Sequence, residues 1–222
     1  MIVMKFGGTS VESAEAIDRV ADIVHARIAR RPVVVVSAMG KTTNALLALA
    51  SAAASGERDR AVSMLCALSD FHRRESAQLA DLDEPLEELA ALVSHVTRTR
   101  ELTPSASDAF ASYGERLSSL AVTALLQRRG MNAIHLDARS VIITDERHTH
   151  AAPRFPETYA RLSATVPALA CDRVVVMGGF IGSTAHGVTT TLGRGGSDYT
   201  ASIVGAGIDA EEIQIWTDVD GM

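Results

Sequence analysis

Four short stretches of this chain bring together residue types that can handle anions, and each of them follows or closes an apolar run. "KFGGTS" at 5–10 places a lysine, two glycines and two hydroxyls in succession. Glycines let backbone approach an anion, and a helix N-terminus offers unpaired N–H groups and the positive end of a dipole. Lys5, on the strand just before them, can then meet a phosphoryl oxygen. The same residues suit a tight strand-to-helix turn with a surface lysine, and spacing alone leaves both readings open. "SAMGKTTN" at 37–44 looks at first like a phosphate-binding P-loop. That pattern needs a glycine five residues before Gly40-Lys41-Thr42. Val35 stands there, inside the apolar run, and a β-branched residue cannot make the tight turn that wraps N–H groups around phosphates. Ser37, Thr42, Thr43 and Asn44 are read instead as helix caps, and Lys41 as a solvated loop lysine.

The third stretch runs from 177 to 198 and is dense in glycine, which is costly in backbone entropy. Its end, "GRGGSD", joins the two-pronged guanidinium of Arg194, the flexible amides of Gly195 and Gly196, the hydroxyl of Ser197 and the carboxylate of Asp198. A purely structural loop seldom needs all of these at the mouth of a helix. The fourth, "WTDVDG" at 216–221, ends a strand with Asp218 and Asp220. They could face a ribose, a metal or water. The downstream acidic ligand of a calcium-binding EF-hand is missing, and Asp-Gly is also an ordinary turn. Glu115 lies in an otherwise apolar helical stretch, off the face made by Leu117, Leu120 and Ala121, and reads as a solvated glutamate. His148 and His150 lack a third metal ligand and read as part of a loop.

The elements that must carry these residues alternate. "IVMKF" (2–6) is a buried strand that stops at Gly7-Gly8. Ile17, Val20, Ala21, Val24 and Ile28 have helical spacing, with Thr9 and Glu12 as a capping box at the start. A second strand follows at 32–37. Three helices are expected between 44 and about 100. A long helix after Pro104 closes at Gly130. Short strands at 133–136 and 141–144, a helix around Tyr159, Leu162 and Val166, strands at 173–180 and 188–192, a small-residue helix from Tyr199 and a last strand at 213–221 complete the pattern. Such alternation predicts an α/β layered fold with a largely parallel sheet. One domain is expected, with the helices of 44–104 as an elaboration on it. In open α/β sheets ligands bind beyond the carboxyl ends of strands, where all four stretches fall.

Composition narrows the class. The chain has 222 residues, 47% of them hydrophobic, enough for a substantial core. A net charge of −6 and only 4% aromatics argue against a nucleic-acid surface. Cys66 and Cys171 are far apart and read as buried thiols of a reducing compartment. No run approaches the ~20 apolar residues of a membrane span, and the N-terminus lacks a signal-peptide pattern. A cytoplasmic protein is the expectation.

"KFGGTS" (5–10), "VVSAMGKTTNAL" (35–46), "YGERLSS" (113–119), "GGFIG" (178–182), "TTLGRGGSDYTA" (190–201) and "WTDVDG" (216–221) together resemble aspartokinase, in that order and over the whole chain. "LGRGGSDYTA" with "KFGGTS" is the most specific pair. "GERLSS" separates the chain from relatives that phosphorylate N-acetylglutamate, glutamate or nucleoside monophosphate. The resemblance implies the amino-acid kinase fold, a three-layer αβα sandwich with a largely parallel central sheet. It implies transfer of the γ-phosphoryl of ATP, with Mg2+, to the β-carboxylate of L-aspartate, the entry to lysine, threonine and methionine synthesis. By motif position, Lys5 and Asp198 are the implied catalytic residues. Thr43, Glu115, Arg194, Gly195, Gly196 and Ser197 would hold aspartate, Glu115 on its ammonium and Arg194 on its α-carboxylate. Lys5, Gly7, Gly8, Thr9, Ser10, Thr217 and Asp218 would meet ATP, and no protein-held metal is implied. The full-length enzyme would be a homo-oligomer. Aspartokinases continue beyond "WTDVDG" into further strands and commonly into ACT regulatory domains. Residues 1–222 are therefore expected to be a kinase catalytic domain incomplete at its C-terminus, without ACT domains. The alternatives are a remnant that binds aspartate without turnover, or a kinase for another small carboxylate.

Overall fold

The computed structural model describes residues 1–193 and 195–217; Arg194, Asp218 and Asp220 lie outside them. Eight strands and seven α-helices are present among these residues. The central sheet is five-stranded and wholly parallel, in the order β3-β5-β2-β1-β8 (Ala133–His135, Val174–Gly178, Pro32–Val36, Ile2–Phe6 and Glu212–Trp216). β1, β2 and β5 are buried along their whole length, as expected of parallel strands covered on both faces.

Strand alternation sorts the layers. Ile2, Met4 and Phe6 of β1 and Val34 and Val36 of β2 face α1 (Ala14–His25) and α5 (Pro104–Arg128), whose Ile17, Val24, Ala121 and Leu125 complete one core cluster. Val3, Val33 and Val35 face α6 (Phe155–Leu169) and α7 (Gly196–Gly207), through Leu162, Val166, Ile203 and Val204. The result is helix, sheet, helix. Lys5 shares the parity of Val3, so the same alternation that builds the core aims its side chain toward α7.

α2 (Thr42–Ala54), α3 (Arg58–Glu75) and α4 (Asp83–Thr99) pack with α5 around a third cluster that includes Leu46, Leu49, Leu89 and Phe110. These are the three helices expected between 44 and 100. α5 is delimited by local chemistry. The Thr103 side chain caps its N-terminus by accepting from the Ala106 N–H, and Pro104 occupies the first turn. Gly130, at φ +80°, closes it, with the Met131 N–H returning to the Leu126 carbonyl.

Several expectations change. The Thr9/Glu12 capping box does not form: Thr9–Val11 is a 3-10 turn, and α1 begins later, capped by Ser13, which accepts from the Ala16 N–H at 3.2 Å. Helix propensity there yields to the need to bring Gly8 against the next loop. The hydroxyls of 37–44 do not cap α2 either. Lys41 is its N-cap residue without a side-chain cap bond, and the Thr42 hydroxyl donates to the Met39 carbonyl. The run 173–180 divides into β5 and a turn into β6 (Ile181–Thr184). β6 pairs with β4 (Ile143–Thr144) in parallel and with β7 (Thr189–Thr191) antiparallel, as a separate small sheet. Cys66 and Cys171 are exposed free thiols, not buried ones: the first is on α3 and the second just follows α6. No described helix is long and apolar enough to cross a membrane.

Candidate active site

At the carboxyl ends of β1, β2 and β5 lies an open cavity of about 350 Å³. Lys5 and Gly8 line it from the first strand end, Ser37, Ala38, Gly40 and Thr43 from the second. Glu115 enters from α5, and Phe180, Gly193, Gly195, Gly196, Ser197 and Asp198 complete the wall from the glycine-rich stretch. Two strand-end loops are pressed together to make it. The Gly40 N–H donates to the Gly8 carbonyl at 3.0 Å, and a Cβ on Gly8 would lie 2.9 Å from the Ala38 carbonyl oxygen. Gly8 has φ −61°, so the close approach, rather than the backbone angle, demands glycine.

Lys5 is not a surface lysine: it is 7% exposed, and its Nζ lies 2.6 Å from Asp198 Oδ1. Asp198 sits in the first turn of α7 behind Gly195, whose φ of +70° sets the chain entering the helix. The amino end of α7 favours negative charge, and the half-exposed partner keeps the ion pair worth ~1 kcal/mol or less. An anionic ligand can therefore take over Lys5 at small cost. Phe180 packs on this turn: its backbone is left-handed at φ +62°, its N–H donates to Thr200 Oγ1, and a Cβ on Gly196 would meet its ring at 2.5 Å. A non-glycine residue in that conformation is held there by its surroundings.

Glu115 is not solvated: it is 3% exposed. Its Oε1 accepts from the Ala38 N–H at 3.1 Å, while Oε2 is buried without a hydrogen-bond partner among the described residues. Burial pushes its pKa up to about 8, against the lowering effect of the Ala38 N–H. A carboxylate with half its acceptor capacity unused, at the wall of a cavity, is suited to receive a cationic donor from a ligand.

The structure therefore gathers Lys5, Gly8, Thr43, Glu115, Gly195, Gly196, Ser197 and Asp198 around one space. Gly7 is adjacent, its hypothetical Cβ 3.8 Å from Lys5 Nζ. Thr9 and Ser10 fall in the 3-10 turn beyond it, outside the cavity lining, and Thr217 also lies outside the lining. Gly8 and the amino end of α7 face the cavity, whereas the 3-10 turn sets the start of α1 apart from the glycines. Ser37, expected only as a helix cap, lines the cavity as well, and Ala38, Gly40, Phe180 and Gly193 line it without having been expected there. Ala38, Gly40, Phe180 and Gly193 shape the wall through backbone or steric closeness, which residue type does not announce. "GGFIG" after a strand was the available signal for Phe180.

The amino acid kinase family model matches residues 1–222. The chain belongs to the amino acid kinase family. Within that family it is similar to aspartokinases. It is 36% identical to lysine-sensitive aspartokinase 3 of Escherichia coli (strain K12) over 100% of this chain and 50% of that one. To chloroplastic aspartokinase 1 of Arabidopsis thaliana it is 37% identical, over 99% of this chain and 40% of that one. The crystal structure of E. coli aspartokinase III in complex with aspartate and ADP (R-state) superposes with a TM-score of 0.86 at 35% identity. It covers all of this chain, which matches 50% of it. The chain thus spans half or less of the length of these relatives.

The same cavity can be tested against the magnesium that a kinase of this family implies. No group of three or more His, Cys, Asp or Glu among the described residues could hold a metal by itself. Mg2+ is commonly bound by one or two carboxylates together with substrate phosphates. Asp198, exposed and facing the cavity, fits that donor set.

Proposed function

We propose that this cavity holds L-aspartate beside the γ-phosphate of ATP and transfers the phosphoryl group to the β-carboxylate, giving aspartyl phosphate. The observation that carries the reading is the juxtaposition, in one space, of a buried glutamate with a vacant oxygen and a buried lysine at the amino end of a helix. An ammonium and a phosphate are the groups these would complement. The aspartate and ADP bound in the crystal structure of the E. coli relative support the same assignment.

In this reading Glu115 receives the α-ammonium and ionises as it does so. Arg194 forks onto the α-carboxylate, with Gly195, Gly196 and Ser197 beside it, and Thr43 completes the amino-acid side. Gly7, Gly8, Thr9 and Ser10 approach the phosphates with their backbone and hydroxyls, and Thr217 and Asp218 meet the rest of the nucleotide. Lys5 follows the charge that grows on the transferring phosphoryl. Asp198 would hold magnesium together with the triphosphate, and the bound ion would shield the phosphate charge. The β-carboxylate is already a nucleophile, so no strong base is required. What the chain must supply is alignment and compensation of negative charge. Residues 1–222 would form the catalytic domain of a longer, homo-oligomeric cytoplasmic enzyme that feeds lysine, threonine and methionine synthesis.

Steady-state kinetics of the full-length protein test the division of roles. Glu115→Gln should raise the aspartate KM at least about tenfold, the scale of one lost charged contact, and leave the ATP KM within about twofold. A rise confined to ATP would place Glu115 on the wrong ligand and overturn the reading.

A further inference from the structure

Glu115 has a counterpart about two helical turns earlier on the same face of α5. Asp108 is 1% exposed, and its carboxylate is as fully engaged as that of Glu115 is not. Oδ1 accepts from Thr191 Oγ1 at 2.6 Å and from the Thr149 N–H at 3.0 Å. Oδ2 accepts from the same N–H at 3.0 Å and from His148 Nδ1 at 2.8 Å. Facing a carboxylate, that ring nitrogen must carry the proton.

These donors come from two separate segments that both lead to the cavity wall. Thr191 ends β7, two residues before Gly193, which lines the cavity with φ +78°. His148 and Thr149 belong to the loop before α6, and that loop leans on the same turn. Thr149 is left-handed at φ +70°, the Ala151 N–H donates to the Thr191 carbonyl at 2.9 Å, and a Cβ on Gly193 would stand 3.1 Å from the His150 ring. Asp108 thus ties the helix that carries Glu115 to the segments that lead into the glycine-rich stretch of Ser197 and Asp198.

We propose that Asp108 is a positioning residue. It holds the 148–150 loop and the end of β7 so that the turn at Gly193 keeps the glycine-rich wall in register with Glu115. A satisfied buried carboxylate network rigidifies what it joins, and here it joins the two sides of one pocket. Asp108 itself reaches no ligand. The inference rests on the reading of the cavity as the acceptor site, because register across it matters only if one small ligand is gripped from both sides.

The test is Asp108→Asn in the full-length enzyme, with Thr191→Val and His148→Ala removing one donor each. Asparagine turns one acceptor into a donor that faces the donors of Thr149 and its neighbours. The aspartate KM should rise by about tenfold or more while the ATP KM stays within about twofold, since misplacement affects the ligand gripped from both sides. Hydrogen exchange supplies a readout that needs no substrate. The amides of Ala151, Leu192 and Gly196, bonded to Thr191, Phe180 and Gly193, should exchange about tenfold faster in the variant. If Asp108→Asn does not fold, the same exchange in Thr191→Val and His148→Ala decides. Unchanged exchange at those amides would overturn the proposal, as would equal rises in both KM values. If the wild-type enzyme fails to phosphorylate aspartate, the substrate reading falls, and faster exchange at the cavity wall still upholds the role of Asp108.

Discussion

At the scale of single residues, the decisive feature is that Glu115 and Lys5 are both buried and yet unequally compensated. Lys5 has Asp198 beside it; Glu115 has one backbone N–H and a vacant oxygen. Its pKa, pushed up by burial from the ordinary 4.5 to about 8, fixes the sign of a pH effect. Between those values the folded state keeps a proton that the unfolded state has released. Stability from this group is therefore lost as pH rises from about 4.5 to about 8, by at most ~1.4 kcal/mol per pH unit. Urea unfolding of wild type and Glu115→Gln between these limits should show that slope in the wild type and its loss in the variant. Parallel curves would mean that Glu115 is ionised in the free protein. The same proton should leave when an ammonium ligand binds, so calorimetry of aspartate binding at pH 7 in buffers of different ionisation enthalpy should report proton release. Lys5 acts on the other ligand. Lys5→Ala should lower kcat by ~10²-fold or more, the loss expected of one transition-state contact, and a variant with near-normal kcat would remove it from the mechanism. Arg194→Lys should not restore the aspartate KM lost in Arg194→Ala, because a point charge cannot replace a fork.

At the scale of elements, the site depends on how tightly α5 and α7 lie against strand ends. A Cβ on Gly178 would fall 2.9 Å from Glu115 Cβ and 3.0 Å from its carbonyl oxygen. Gly178→Ala should therefore push α5 from β5, cost ~1–3 kcal/mol as overpacking does, and raise the aspartate KM with it. Gly187 is the control: at φ +79° with nothing within 4 Å, its alanine variant carries only backbone strain, about 1 kcal/mol, with KM unchanged. Equal kinetics in the two variants would separate the α5–β5 contact from the site. Elements were legible where a local signal exists: the Val-rich strands, the proline and glycine that bound α5, the glycines after β1 and β5. The start of α1 was not, because a tertiary contact between Gly8 and Ala38 overrides the local capping pattern. Nor was the burial of Glu115, since the apolar face drawn from Leu117 and Leu120 ignores that α5 is covered on several sides by β5, β7 and α2. Asp108 gave no signal at all in sequence; its three donors come from segments 40 and 83 residues away.

At the scale of the whole molecule, the central sheet ends among the described residues in β3 on one side and β8 on the other. β8 pairs with β1 along one edge, and Ile213 and Ile215 on it are 39% and 46% exposed. An apolar edge strand is a template for pairing. The 222-residue chain should self-associate through it, and Ile215→Lys should shift sedimentation toward monomer; an unchanged distribution would acquit that edge. The chemistry proposed for the cavity takes place at the carboxyl ends of the strands. It is tested most directly by incubating the purified full-length protein with Mg-ATP, L-aspartate and hydroxylamine, which captures an acyl phosphate as its hydroxamate. Aspartyl hydroxamate and ADP should form in equal amounts, only when aspartate is present, and both should fall by ~10²-fold or more in Lys5→Ala. ADP release that ignores aspartate, or aspartate left unmodified while ATP is consumed, would contradict the reading.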